Sequence, residues 1–232
     1  MNKAMKTTRA YILTTALALT VIVVAVVAIL AASSALSSNA VPQHQSDEKE
    51  IQECTLLTQD SLPAHFPSGV LARKPALITV AGFIYTHCPG VCETITETMK
   101  RASYLLGSNN AHVQFLALTF DPERDTPSVL RDYGNLHNLA DEMHSGRWLF
   151  LTGSGHTVDS LVQHYGIVTR RSYTTVSSTG ERVYFIDHTD RITLLDERGV
   201  VLKEYEGSEV APETLVAEIQ RLSKKVARSH VQ

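Results

Sequence analysis

The stretch GFIYTHCPGVC, residues 82–92, decides how the rest of the chain is read. It closes the mostly apolar run ALITVAGFIY at residues 76–85, the pattern of a central strand buried on both faces. Pro89 suits the first turn of a helix, and TITETMKRASYLL carries helical patterning on to Leu106, where Gly107-Ser108-Asn109-Asn110 stops it. Two of the chain's three cysteines, Cys88 and Cys92, therefore sit four apart where a strand becomes a helix. In a helical turn residues i and i+4 face the same way. Their Cα atoms would lie about 6 Å apart, inside the range a disulfide tolerates. The same spacing lets two thiolates grip one ion. Unpaired N–H groups and the positive end of the helix dipole lower the thiol pKa at such a place. The pair is expected to be reactive and redox-active. A C-x-x-x-C motif alone leaves open whether it is a simple redox disulfide or part of a metal site.

Downstream, HVQFLALTF at residues 112–120 predicts a second buried strand and DPERDTP at residues 121–127 a loop. Thr126 can cap, and Pro127 begin, a helix running toward Met143. RWLFLT at residues 147–152 predicts a third strand, and residues 155–165 a helix closed by Gly166 in the left-handed conformation. Residues 172–187 are polar and Thr/Ser-rich at first, then extended in VYFID. Residues 191–195 and 200–205 flank Asp196-Glu197-Arg198-Gly199 as a hairpin. The last helix, residues 212–225, gathers Leu215, Val216, Ile219 and Leu222 on one face. Upstream, ECTLLTQ reads as a short strand and HFPSGVLARKP as a connecting loop, and Cys54, alone there, as a partly buried, inert thiol. Strand and helix alternate three times before the hairpin and final helix, which predicts an α/β, thioredoxin-like mixed sheet with flanking helices. In such a sheet the cysteine junction lies at the carboxyl end of a strand, where ligands are met.

Among ten histidines, His188 stands in Phe185-Ile186-Asp187-His188-Thr189, where the extended segment turns into the hairpin. It is far from the cysteines in sequence and expected near them in space. His87 adjoins Cys88 but should point away from it at the strand end. Asp187 should point opposite to His188 on an extended chain. His112, His137, His144, His156 and His164 read as surface or strand-edge residues. Two thiolates suit soft Cu(I), and an imidazole is tolerated by both Cu(I) and Cu(II). A structural zinc normally takes four protein ligands, and no fourth is evident, so copper fits better, in a site open on one side.

At 232 residues and 44% hydrophobic content the chain can bury a sizeable core. All 24 Asp and Glu follow residue 46, with 18 of the 21 Lys and Arg, which leaves −6 beyond the N-terminus and no basic stripe for a nucleic-acid partner. Lys3, Lys6 and Arg9 precede the uncharged residues 11–32. As a helix these would span about 33 Å, close to the hydrocarbon thickness of a bilayer. The expected organisation is a cytoplasmic N-terminus (1–10), a transmembrane anchor (11–32), a Ser-rich tether (33–52) and a folded domain (53–226). Charge bias puts that domain on the periplasmic or extracytoplasmic side of the inner membrane. A cleaved signal peptide ending at Ser38-Asn39-Ala40 would lead to the same side. Outside the cytoplasm thiols oxidise, and a lone close pair there reads as working chemistry rather than a structural framework.

Taken together, the anchor, YTHCPGVC (85–92), FDPERDTP (120–127) and DHT (187–189) resemble the Sco/SenC family of copper-binding, thioredoxin-like proteins that assist cytochrome c oxidase assembly. Tyr165-Gly166 also fits, and the resemblance covers roughly residues 75–225. It implies that Cys88, Cys92 and His188 are ligands to one copper ion, Cu(I) or Cu(II), and that Asp121 supports the site from behind. It implies as partners the copper-receiving subunit of a respiratory oxidase and other copper or thiol donor proteins. Three departures stand out: Gly90, where the family usually has an acidic or polar residue; Glu93, where it commonly has Pro; and a degenerate strand pair at residues 53–75. The leading expectation is a membrane-anchored copper metallochaperone. The alternative is an enzyme, a thiol-disulfide reductase using the redox pair Cys88 and Cys92 to keep the oxidase's copper-ligand cysteines reduced. A peroxide-scavenging thiol enzyme is a third.

Overall fold

The computed structural model describes residues 51–71, 78–107, 112–175 and 182–229. The proposed anchor and nearly all of the tether lie outside them. Among the described residues no helix is long and apolar enough to cross a membrane.

Three strands make the centre: β3 (Ile78–Ile84), β4 (Val113–Thr119) and β5 (Trp148–Thr152), every residue of each buried. They run parallel, β4 between the other two. Continuous apolar runs form such strands because both sheet faces are covered. The predicted hairpin, β8 (Ile192–Leu195) and β9 (Val201–Tyr205), extends the sheet antiparallel from β3. On the other edge β1 (Cys54–Thr58) and β2 (Pro63–Phe66) add an antiparallel pair beyond β5. The sheet is seven-stranded and mixed, in the order β2-β1-β5-β4-β3-β8-β9, the thioredoxin-like arrangement expected.

The strand pair is therefore formed, not degenerate. In PAHF, Ala64 and Phe66 alternate inward with exposed Pro63 and His65, a period-2 signal too short to stand out beside the turn residues around it. A single turn of helix, α1 (Ser68–Leu71), occupies part of what read as loop.

Helix α2 (Val91–Leu106) follows β3, starting two residues later than Pro89 suggested. Cys92, Ile95, Thr96, Met99, Ala102, Ser103 and Leu106 form its buried stripe. It lies so close to β3 that a Cβ on Gly82 would come 2.7 Å from Met99 Sδ and 3.1 Å from Ile95 Cγ2. Helix α6 (Pro212–Ser229) packs beside α2 through buried Leu215, Ile219 and Leu222.

The helix predicted from Pro127 toward Met143 is broken into α3 (Pro127–Leu136) and α4 (Ala140–His144). Its start is as expected, with the Thr126 side chain accepting from Val129 N–H. Its end comes at Asn138, with φ 57°. Leu139 N–H then reaches back to the Gly134 carbonyl at 2.9 Å, which turns the Leu139 side chain into the core. Helix α5 (Gly155–His164) stops as predicted, with Gly166 at φ 63°.

The segment between α5 and β8 is extended in both halves rather than only in VYFID. β6 (Thr169–Thr175) pairs antiparallel with β7 (Arg182–His188) as a two-stranded ribbon separate from the main sheet. β6 reads TRRSYTT and is largely exposed, so no buried face imposes the alternation by which a strand is recognised.

Candidate metal centre

The site stands where β3 and β4 end. β3 is followed by Tyr85, Thr86, His87 and Cys88, and β4 by Phe120 and the loop 121–127. Cys88 N–H turns back to the Tyr85 carbonyl at 3.3 Å. Gly90 precedes α2 with no side-chain cap. The Cys88 sulfur takes over part of that task, accepting from Cys92 N–H at 3.4 Å. The two cysteines are thus brought together by the start of the helix.

The third member comes from a hundred residues downstream. His188 ends β7, with its Nε2 3.3 Å from Cys92 Sγ and 3.8 Å from Cys88 Sγ. Its Nδ1 lies 3.0 Å from the Thr189 carbonyl. A carbonyl can only accept, so Nδ1 carries a hydrogen, and Nε2 faces the sulfurs with a lone pair when the ring is neutral and with an N–H when it is protonated. Phe120 and Tyr85 flank the imidazole, with ring centroids at 4.7 and 6.0 Å. Cys92 is 1% exposed while Cys88 and His188 are half-buried, so the group opens on the Cys88 side.

The environment divides the two thiols. Cys88 is lowered to about 4 by the hydrogen bond from Cys92, against its own burial, with help from His188 and the Cys92 and Gly90 backbone N–H groups. Burial pushes Cys92 far up, and the adjoining Cys88 sulfur adds to this. For His188 burial favours the neutral ring, but the bonds to Cys88 and the Thr189 carbonyl outweigh it and raise its pKa. Before any ion enters, the group holds a Cys88 thiolate beside an imidazole that protonates readily.

Among the described residues, Cys88, Cys92 and His188 are the only set of three or more His, Cys, Asp or Glu placed to hold a metal ion, with donor atoms all within 4.8 Å of one another. An ion bonded to thiolate sulfur at about 2.3 Å and imidazole nitrogen at about 2.0 Å spaces its donors roughly 3.5–4 Å apart. The donor spacings lie close to that range, so the residues fit a soft or borderline cation.

Other expectations divide. His87 is exposed and faces Thr86 Oγ1 at 3.1 Å, away from the sulfurs as expected. Asp187 points outward to Arg170 and Ser172, also as expected. His137 corrects the surface reading: it is buried, and its Nδ1 lies 2.8 Å from Glu97 Oε1. Cys54 is a free, partly buried thiol whose pKa burial raises, which suits an inert role. Asp121 is fully buried at the start of the loop 121–127. It accepts from Tyr184 Oη at 2.8 Å and pairs with Arg124.

The residue missed is Asp125, in the same loop and equally buried. Its carboxylate accepts from Thr86 N–H at 3.0 Å, Thr86 Oγ1 at 2.6 Å and Thr119 Oγ1 at 2.6 Å. It therefore ties the end of β4 to the segment that carries Cys88. The signal available was a second aspartate in one short loop between a strand and a helix, four residues after Asp121.

The family model described as SCO1/SenC matches residues 73–224. The chain is 29% identical over 125 residues to the SCO2-like protein RT0576 of Rickettsia typhi, a stretch covering 53% of this chain and 56% of that one. It thus spans little more than half the length of that curated relative. Among solved structures, Bradyrhizobium japonicum ScoI with copper bound matches 74% of this chain and 98% of its own at TM-score 0.60 and 22% identity. BsSco, described as a member of the Sco family of cytochrome c oxidase assembly proteins, matches 75% and 94% at TM-score 0.54 and 22% identity. At those identities the likeness shows the fold.

Proposed function

Because the chain belongs to the SCO1/SenC family, we propose that it is a copper metallochaperone. It takes one copper ion as cargo between Cys88, Cys92 and His188 and delivers it to the dicopper centre of a respiratory oxidase. The observation that carries this reading is the convergence of two sulfurs and one imidazole nitrogen, from segments about a hundred residues apart, within 4.8 Å. Two thiolates favour a copper ion over harder cations. A protein of similar fold, Bradyrhizobium japonicum ScoI, is solved with copper bound.

The exposure of the donors suggests the order of hand-over. Cys88 lies on the open side, where a ligand of the receiving subunit can displace it first. Cys92, at 1% exposure, is placed to let go last. We place the domain outside the cytoplasm, held to the membrane by residues 11–32, where it would meet the oxidase subunit and the copper or thiol donor proteins that load or reduce it. The test is copper stoichiometry and the Cu(II) spectrum of wild type against His188→Ala. Wild type should bind one ion and the variant should lose Cu(II) affinity and change spectrum. Equal affinity and an unchanged spectrum in the variant would sink the proposal.

The split between the thiols favours a second reading on the same residues. The Cys88 thiolate attacks a partner disulfide, forming a mixed disulfide and releasing one partner thiolate. Cys92 then passes its proton to the released partner thiolate and attacks Cys88 Sγ. The Cys88–Cys92 bond forms, the mixed bond breaks, and the partner leaves reduced, as one thiol and one thiolate. This path does not need His188 as a ligand. If a His188→Ala strain assembles an active oxidase, the thiol role is the physiological one.

A further inference from the structure

His188 does not reach the cysteines through the main sheet. It is carried by the ribbon β6–β7, a two-stranded sheet that shares no ladder with the seven-stranded one among the described residues. A two-stranded ribbon is marginal by itself, so the position of His188 depends on side chains that fasten β7 to the body. Two residues of β7, Tyr184 and Ile186, supply the fastening. Tyr184 Oη donates to Asp121 Oδ1 at 2.8 Å. Ile186 N–H donates to Tyr85 Oη at 3.1 Å. His188 follows two residues further on the same face. Arg124 closes the arrangement. Its Nη1 donates to the Tyr184 carbonyl at 3.1 Å, its guanidinium lies 3.7 Å from the Tyr184 ring centroid, and its Nε pairs with Asp121.

We infer that Tyr184, braced by Asp121 and Arg124, is a positioning residue for His188 and so sets which oxidation state of copper the site holds. This rests on the copper reading above. With the ribbon fastened, the site offers two sulfurs and a nitrogen. With it loose, the site offers the two sulfurs, which come from the β3–α2 junction and need nothing from the ribbon. Two thiolates suffice for soft Cu(I), while Cu(II) draws on nitrogen donors. Loosening Tyr184 therefore weakens Cu(II) binding selectively. Asp121 then supports the site at a distance, through the ribbon rather than by touching a ligand.

The test is Tyr184→Phe, which deletes one hydroxyl and leaves the ring under Arg124. Cu(II) affinity should fall about tenfold or more, equivalent to about 1.4 kcal/mol, and Cu(I) affinity less than about threefold. In a His188→Ala background the same substitution should change Cu(II) affinity less than about twofold, because there is no ligand left to position. In the metal-free protein, protection of the Ile186 amide from hydrogen exchange should drop, while the Cys88–Cys92 equilibrium with glutathione stays as in wild type. An undiminished Cu(II) affinity, or an equal loss with and without His188, overturns the inference. Asp121→Asn, read the same way, answers if Tyr184→Phe does not fold. A wild-type protein that binds no copper refutes the proposed function instead, and unchanged Ile186 protection in Tyr184→Phe separately refutes the fastening.

Discussion

The acidity of Cys88 leads to an unusual pH profile. Take the metal-free, reduced protein in a Cys54→Ser background, and follow exchange with a small aromatic disulfide by release of its coloured thiolate. The reference is the same chain in denaturant, where Cys88 returns to an ordinary value of 9.0. Folded Cys88, held at about 4 chiefly by the Cys92 hydrogen bond, keeps its thiolate as pH falls until about 4. At pH 6 it is almost wholly thiolate, and the reference is only about one part in a thousand. The weaker base is also the weaker nucleophile: with a Brønsted slope of about 0.4–0.5, five units of acidity lower the intrinsic rate about 100- to 300-fold. The folded protein should therefore react about 3- to 10-fold faster than the reference at pH 6 and about 50- to 150-fold slower at pH 9, the curves crossing near pH 6.5–7.

Two labels should be released per protein, because Cys92 follows and closes the Cys88–Cys92 bond. His188→Ala removes a hydrogen-bond partner of the thiolate and should move the acid edge of the plateau upward. A folded-state rate that climbs about tenfold per pH unit between 6 and 8, parallel to the reference, would refute the assignment of Cys88 as a thiolate.

Two further substitutions probe the support of the site. Gly82→Ala should destabilise the fold by about 1–3 kcal/mol in chemical denaturation, because the new methyl meets Met99 Sδ at 2.7 Å and Ile95 Cγ2 at 3.1 Å; an unchanged midpoint would mean α2 can step back from β3 at no cost. Asp125→Asn keeps the shape of the side chain but not its capacity to accept three hydrogen bonds, and its new N–H₂ faces donors from Thr86 and Thr119. A loss of about 1–3 kcal/mol is expected by the same assay, together with a lower Cu(I) affinity as the Cys88 segment loosens. Retention of both would show that Asp125 is dispensable to the Cys88 segment.

The centre of the fold was legible because burial on both faces leaves unbroken apolar runs, as in ALITVAGFIY and HVQFLALTF. The cysteine pair was legible because its two members are close in sequence, and His188 because it stands at a change of backbone direction. What escaped notice depends on contacts no local pattern records. β6 is exposed and polar on both faces, so its pairing is specified by its neighbour rather than by alternation. The break at Asn138 turns on one residue adopting a positive φ. Asp121 and Asp125 look alike in DPERDTP, yet one faces the ribbon and the other the strand ends. His137 read as surface because its partner, Glu97, lies forty residues away on α2.

The unequal sequence separation within the site has a consequence for the folding history of the chain. Cys88 and Cys92 are four residues apart, whereas His188 lies 100 residues from Cys88. The dithiol needs only one strand end and one helical turn, while the imidazole arrives after long-range closure of the chain. A partly folded molecule is thus already able to exchange disulfides but not yet able to assemble the full donor set. Thiol reactivity reports local order at the β3–α2 junction, and imidazole ligation reports completion of the domain. Following both during refolding would time the two events on a single chain.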